Sequence, residues 1–296
     1  MNTYVAYKIL SFLSRVLPEK LAYWFGLRIA DGFYYFNRRG RAAVQSNIKQ
    51  ILESRHAVPA EGALHGLARK NFQYFGKYLV DFFRYGQLTP EQMRQRITIE
   101  HPEYIEQAVA LGRGVLCVSA HFGNWELGGA VMSALGYKVN AVEMPQEFEK
   151  LNRMFQRRRQ ARGVTLIPLG RAVFEIVRCL RRGEVVGLLG DRDFTAQKDR
   201  IDFFGKPARL PRGPAWLSIK TGAPILVGFV LRQVDDSFVV RMYPPILPEK
   251  EGSEDAIRIK IRDLLETCVG EYPYQWFIFD DFWADAGTSA VGGKTT

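Results

Sequence analysis

Short apolar runs rich in β-branched residues alternate along this chain with longer stretches whose apolar positions recur at helical spacing. Strands are predicted at Val115–Val118, Lys138–Val142, Val164–Pro168, Val185–Leu189, Ile225–Leu231 and Ser237–Tyr243. Helices are predicted at Ala42–Ser54, Ala63–Tyr85, Pro102–Leu111, Trp125–Leu135, Phe148–Ala161, Ala172–Arg182, Pro214–Thr221 and Glu254–Tyr272. Such alternation specifies an α/β fold with one central mixed, largely parallel sheet flanked by helices. The run at Val115 is apolar throughout and bounded by Gly114, which marks a strand buried on both faces.

The first forty or so residues follow a different pattern. Val5, Ile9, Phe12, Leu13 and Val16 fall at helical spacing with Lys8 and Arg15 between them, and Leu21–Phe36 is apolar and aromatic but holds Arg28 and Asp31. A bilayer span needs about 20 mostly apolar residues, and neither stretch supplies them. No uninterrupted core and cleavage site mark a signal peptide. What remains is an amphipathic interfacial region, residues 1–41, ending in the basic cluster Arg38, Arg39 and Arg41, which suits an anionic membrane surface. Two ordinary helices covering the sheet are the alternative. Residues 42–283 form the α/β domain on this reading, and the small, polar segment 284–296 a disordered tail.

Chemistry concentrates in Ser119-Ala120-His121-Phe122-Gly123-Asn124-Trp125-Glu126, just past the predicted buried strand Val115–Val118. On one continuous helix His121 and Glu126 would lie about 140° apart and could not meet. His121 is therefore expected to precede the helix, with Gly123 turning the chain, Asn124 as N-cap and Glu126 in the first turn. That geometry lets the Glu126 carboxylate fold back onto the imidazole, fix its tautomer and leave the other ring nitrogen to take a proton from an attacking hydroxyl. The carboxyl end of a central strand is where open α/β sheets bind ligands.

Charge and composition narrow the partners. Forty-one Lys plus Arg against 31 Asp plus Glu give a net charge of +10, a surface drawn to polyanions. There is no zinc-finger spacing and no aromatic-basic RNA-binding signature, so nucleic acid is not an expected partner. Cys117, Cys179 and Cys268 are widely separated, as in a reduced compartment, and the 4 histidines are too scattered for a metal cluster. Metal and cofactor are both expected to be absent.

HFGNWE resembles the HxxxxE/D block of the bacterial lipid A biosynthesis acyltransferase superfamily, which also holds phosphatidylinositol mannoside acyltransferases. Further matches follow in order: Gly190-Asp191-Arg192-Asp193-Phe194-Thr195, Phe203-Phe204-Gly205-Lys206-Pro207-Ala208, Pro211-Arg212-Gly213-Pro214-Ala215 and Thr221-Gly222-Ala223-Pro224-Ile225. The resemblance covers all but the tail. It implies transfer of a fatty acyl group from an acyl carrier protein or coenzyme A thioester to a hydroxyl of a membrane glycolipid, at the cytoplasmic face of the inner membrane. Asp-Arg-Asp is closer to the mannoside branch than the Asp-Gln-Asp of lipid A enzymes, whereas Glu126 is closer to the lipid A branch, so both acceptors stay open.

Other residues are weighed for the same site. Glu143, past the second strand, resembles a family position near the acyl donor, and Asp191, Arg192 and Asp193 are expected to converge on the rim with His121. Asn124 joins them as a substrate contact. Arg159, within the run Arg157-Arg158-Arg159 flanked by Arg153 and Arg162, is a candidate phosphate ligand or part of a solvated face. Phe122, Trp125, Phe203 and Phe204 are expected to line an acyl groove. The 7 aromatics of Tyr272–Trp283 read mostly as core. Two other functions remain: a lipid hydrolase in which His121 activates water or Ser119, although no GxSxG elbow is present, and a lipid-binding protein without turnover.

Overall fold

The computed structural model describes residues 3–57, 60–84, 89–144, 148–193 and 199–283. Helices α1 (Thr3–Val16), α2 (Glu19–Phe36), α3 (Arg38–Ser54), α4 (Glu61–Arg84) and α5 (Pro90–Arg96) come first. They are followed by β1 (Ile97–Glu100), α6 (Glu103–Ala110), β2 (Val115–Ser119), α7 (Trp125–Ala134), β3 (Val139–Glu143), α8 (Glu149–Gln160), β4 (Val164–Pro168), α9 (Ala172–Arg181) and β5 (Val185–Leu189). A hairpin, β6 (Ile201–Phe203) and β7 (Lys206–Ala208), leads into α10 (Gly213–Thr221), β8 (Ile225–Arg232), β9 (Phe238–Met242), α11 (Pro248–Glu251) and α12 (Glu254–Glu271). The last described segment runs through a 3-10 turn at Pro273–Gln275 and back across the molecule.

The main sheet has 7 strands in the order β1-β9-β8-β2-β5-β3-β4. Every pairing is parallel except β8 with β9, so β9 and β1 run against the rest. The mixed α/β architecture read from the sequence is the one observed. Alternation along the strands sends Leu116, Val118, Val186 and Phe229 to one face, against Ile176, Leu217, Leu265 and Trp276 of α9, α10, α12 and the carboxyl-terminal segment. Val115, Val139, Val185 and Val230 face the other way, onto Ile105, Leu127 and Val131 of α6 and α7.

β5 returns between β2 and β3, which brings the carboxyl ends of all three to one rim. The register pairs Ser119 with Leu189, so the residues two places beyond each strand, His121 and Asp191, face one another. This crossing point is where a parallel sheet opens a crevice.

The amino-terminal helices are not a separate appendage. α2 crosses α4 so closely that a β-carbon at Gly76 would lie 2.8 Å from the Gly26 carbonyl oxygen and 2.9 Å from the Ala30 β-carbon. Tyr34 packs with Val44, Ile48 and Phe72, and Tyr23 with Val80, while the boundary expected at residue 41 falls within α3. On their outer side α1 and α2 leave a ridge of Val5, Ile9, Phe12, Val16, Trp24, Ile29, Phe33 and Phe36 exposed to solvent; Phe12 is 63% and Phe36 90% exposed. Among the described residues no helix is long and apolar enough to cross a membrane. The tail expected over 284–296 lies outside the described residues.

Candidate active site

The turn after β2 is held from several directions. Gly123 adopts φ of 58°, and any β-carbon there would collide with the Val230 carbonyl oxygen of β8, so glycine is required. Its N–H donates to the Gln275 carbonyl at 2.9 Å, that of Asn124 to the Val230 carbonyl at 2.8 Å, and the Phe277 N–H donates to the His121 carbonyl at 2.7 Å. The aromatic carboxyl-terminal segment thus closes the loop from above while β8 supports it from below.

His121 is expected from its sequence to meet Glu126, but its partner in the structure is Asp191. Nδ1 of His121 lies 2.9 Å from Asp191 Oδ1, and the His121 backbone N–H donates to Oδ2 at 2.8 Å. Trp276 Nε1 donates to the same Oδ2 at 2.9 Å. Burial works against the charge of Asp191, but the adjacent His121 and these hydrogen bonds outweigh it and hold the carboxyl below the usual aspartate range. An ionised Asp191 places the ring proton on Nδ1 and leaves Nε2 with a lone pair. The imidazole is part-exposed, 24% by side chain, over a wholly buried aspartate.

Glu126 turns instead to Arg159 of α8, in a forked ion pair at 2.6 and 2.9 Å. Its position in the first turn of α7 is as expected, but the turn sends its carboxylate toward α8 rather than back over the loop. Glu143 at the end of β3 is buried and accepts from Gln156 at 2.8 Å, with its second oxygen 4.0 Å from Arg159. Arg159 is thereby paired with Glu126 and stands near Glu143, at the edge of the cavity.

Several expected substrate contacts have other tasks. Asn124 is buried: its Oδ1 accepts from the Leu127 N–H at 3.3 Å, capping α7, and its Nδ2 donates to Asp81 at 3.1 Å. Asp191 holds His121 and is closed to substrate. Phe122 packs edge-on to Phe229 beneath the loop, and Phe203 and Phe204 stand in the core with Trp276, Phe282 and Trp283, so none of the three lines the apolar cavity near Trp125. In the hairpin Gly205, Lys206 and Pro207 are exposed while Phe203 and Phe204 are buried. Trp125 is the expected groove residue that does face the cavity. Trp276 is a site residue that local sequence reasoning missed, because it arrives from a distant element with no motif around it.

Beside this cluster lies a cavity of about 420 Å³, within the roughly 300–1,000 Å³ of ligand sites. Trp125, Glu126, Arg159, Arg192 and Asp193 give it a polar end. Inward, small residues make the room: Cys117, Ala141, Gly187 and Gly228 on the strands, and Gly128 and Gly129 on α7. Burial pushes the Cys117 thiol up to about 12, so it is a neutral apolar lining group. The His121 ring stands 5.4 Å from that of Trp125, which in turn stacks on Tyr78 at 4.4 Å. Arg192 also pairs with Asp280 at 3.3 Å.

A histidine paired with a buried aspartate at the sheet rim and a largely apolar cavity next to it fit the class of enzymes that transfer acyl groups. Residues 2–284 match the bacterial lipid A biosynthesis acyltransferase family, and the chain belongs to that family. It is an O-acyltransferase. The phosphatidylinositol mannoside acyltransferase of Mycolicibacterium smegmatis is 25% identical over 275 residues, covering 92% of this chain and 88% of that protein. The lipid A biosynthesis palmitoleoyltransferase of Escherichia coli is 26% identical over 266 residues, 88% of this chain and 84% of that protein. A more distant likeness is the crystal structure of the 1-acyl-sn-glycerophosphate acyltransferase PlsC from Thermotoga maritima, at TM-score 0.39 and 14% identity, covering 86% of this chain and 100% of that one.

Proposed function

We propose that this enzyme moves a fatty acyl group from a coenzyme A or acyl carrier protein thioester to a hydroxyl of a membrane glycolipid, of the lipid A precursor or phosphatidylinositol mannoside type. The observation that carries the reading is the Asp191–His121 pair standing beside the apolar cavity. Nε2 of His121 takes the proton of the acceptor hydroxyl as its oxygen bonds to the thioester carbonyl carbon. The tetrahedral intermediate collapses, the carbon–sulfur bond breaks, and the imidazolium returns its proton to the leaving thiolate. Ester and free thiol are the products. Asp191 fixes the tautomer and stabilises the imidazolium. In place of a His-Glu dyad the base is a His-Asp pair, and the Glu126–Arg159 pair shapes the polar end of the cavity.

The fatty chain lies in the cavity among the glycines. The ridge of α1 and α2, with Arg38 and Arg39 beyond it, rests on the anionic cytoplasmic leaflet of the inner membrane. Mass spectrometry of the products formed by the purified enzyme from palmitoyl-coenzyme A and vesicles carrying each glycolipid tests the proposal. Acyl ester formed on one of them, and lost in His121→Ala, is the expected result. Free fatty acid as the sole product would replace transfer by hydrolysis.

A further inference from the structure

Asp81, on the last turn of α4, is fully buried against Arg232 and does not touch the cavity. Three elements meet on its side chain. Tyr23 of α2 donates its hydroxyl to Oδ1 at 2.6 Å, and Asn124, the residue that begins α7, donates to Oδ2 at 3.1 Å. Arg232, at the end of β8, forms an ion pair with Oδ2 and donates to the Tyr23 oxygen at 3.3 Å. The backbone of Arg232 exchanges two hydrogen bonds with the Gln275 side chain, at 3.1 and 3.0 Å, and the Gln275 carbonyl holds the Gly123 N–H. On its outer side Arg232 reaches Asp236, which also takes Lys77 at 2.7 Å.

A carboxylate buried in this way is costly unless every neighbour supplies a charge or a donor. Two of these partners bear on the loop that carries His121, Asn124 directly and Arg232 through Gln275, and Tyr23 joins them through Asp81 from the helix whose outer face bears Trp24 and Phe25. The Tyr23 ring fills the packing space between α2 and α4, and its hydroxyl adds a polar tie from α2 to Asp81 and Arg232.

We propose that Asp81 and Tyr23 are positioning residues for acyl transfer: through Asn124 they set the height and angle of the His121 loop, tying the amino-terminal helical pair to the catalytic turn. The proposal rests on His121 being the base, and its consequences are separable from that reading. A loop held a fraction of an ångström out of place slows the attack without changing how tightly the substrate binds.

The decisive variants are mild. Tyr23→Phe removes one hydroxyl, and Asn124→Ser keeps an oxygen to cap the helix while replacing the amide N–H that reaches Asp81 by a shorter hydroxyl. With palmitoyl-coenzyme A as donor and phosphatidylinositol mannoside in vesicles as acceptor, each is expected to lower kcat about tenfold with KM for the donor unchanged. The double variant is expected to be little worse than Asn124→Ser alone, because both act through Asp81. Flotation with vesicles should match wild type. Wild-type kcat in Tyr23→Phe, whatever its melting temperature, would reduce the network to a structural one, and so would additive losses in the double variant. Asp81→Ala is expected to fail to fold and is not needed for the test. Full turnover in His121→Ala would remove the catalytic reading itself, which none of these outcomes would do.

Discussion

At the scale of single residues, the partner of His121 decides what each carboxylate contributes. His121→Ala should lower transfer by about 10²- to 10⁴-fold, as loss of a general base does. Asp191→Asn should approach the same loss, because the amide can leave the ring in the wrong tautomer and cannot stabilise an imidazolium. Glu126→Gln should cost less, since Glu126 contacts Arg159 and not the ring. Steady-state rates of the three variants check the order, and a Glu126→Gln loss larger than that of Asp191→Asn would restore the His-Glu dyad. The same aspartate makes an acid-dependent contribution to stability. Its carboxyl is held below the ordinary range, so the folded state favours the ionised form. That stabilisation is complete above the unfolded-state value and is lost as pH falls through the depressed folded-state value. Thermal melts of wild type and Asp191→Asn should therefore differ most near neutral pH and converge in strong acid. A gap that persists or widens at low pH would contradict the assigned charge.

At the scale of elements, the glycines of α7 and the strands set the space for the chain. Gly129 faces Val164, where an added β-carbon would lie 3.2 Å from Cγ2, and a larger side chain must extend into the cavity. Gly129→Val should shorten the preferred acyl chain by a few carbons, each excluded methylene forfeiting about 0.8 kcal/mol of burial. Rates across a series of acyl-coenzyme A chain lengths read this directly, and an unshifted optimum would place the chain elsewhere. The strands and helices around this cavity were legible because their signals are local: β2, β3, β4, β5, β8 and β9 were expected within a residue or two of where they stand. β1 was not, because Ile97-Thr98-Ile99-Glu100 is a short strand at the sheet edge directly behind a charged helix. Nor does spacing within one segment reveal the His121 partner. Asp191 lies 70 residues away, and only the Ser119–Leu189 register brings the two rims level. The aromatic rings of Phe122 and Phe203 were misplaced for a related reason: composition says that a ring seeks an apolar site but not whether that site is core or groove.

At the scale of the molecule, the exposed ridge of α1 and α2 and the +10 net charge lead to one behaviour at a membrane. Deleting the two helices is a poor test, because α2 packs on α4 and supplies Tyr23 to Asp81. Replacing Phe12, Trp24 and Phe33 together by serine removes ridge rings that are at least half exposed and leaves the inner faces untouched. Each ring inserted into the interface contributes up to about 1.5–3 kcal/mol, so the triple variant should partition onto anionic vesicles at least about a hundredfold more weakly. The electrostatic share responds to salt instead: at 1 M the screening length falls to about 3 Å, and part of the wild-type protein should leave the vesicles while the inserted part stays. Arg38 and Arg39 should account for the released fraction, with each near-surface arginine adding about 1 kcal/mol on an anionic leaflet. Vesicle flotation at low and high salt separates the two shares. Transfer to a vesicle-embedded acceptor should fall with the flotation of the triple variant, whereas slow hydrolysis of a short-chain soluble thioester, with water as the acyl acceptor, should not. Equal flotation of wild type and triple variant would mean that the ridge faces another protein surface and that the membrane is reached by a different part of the molecule.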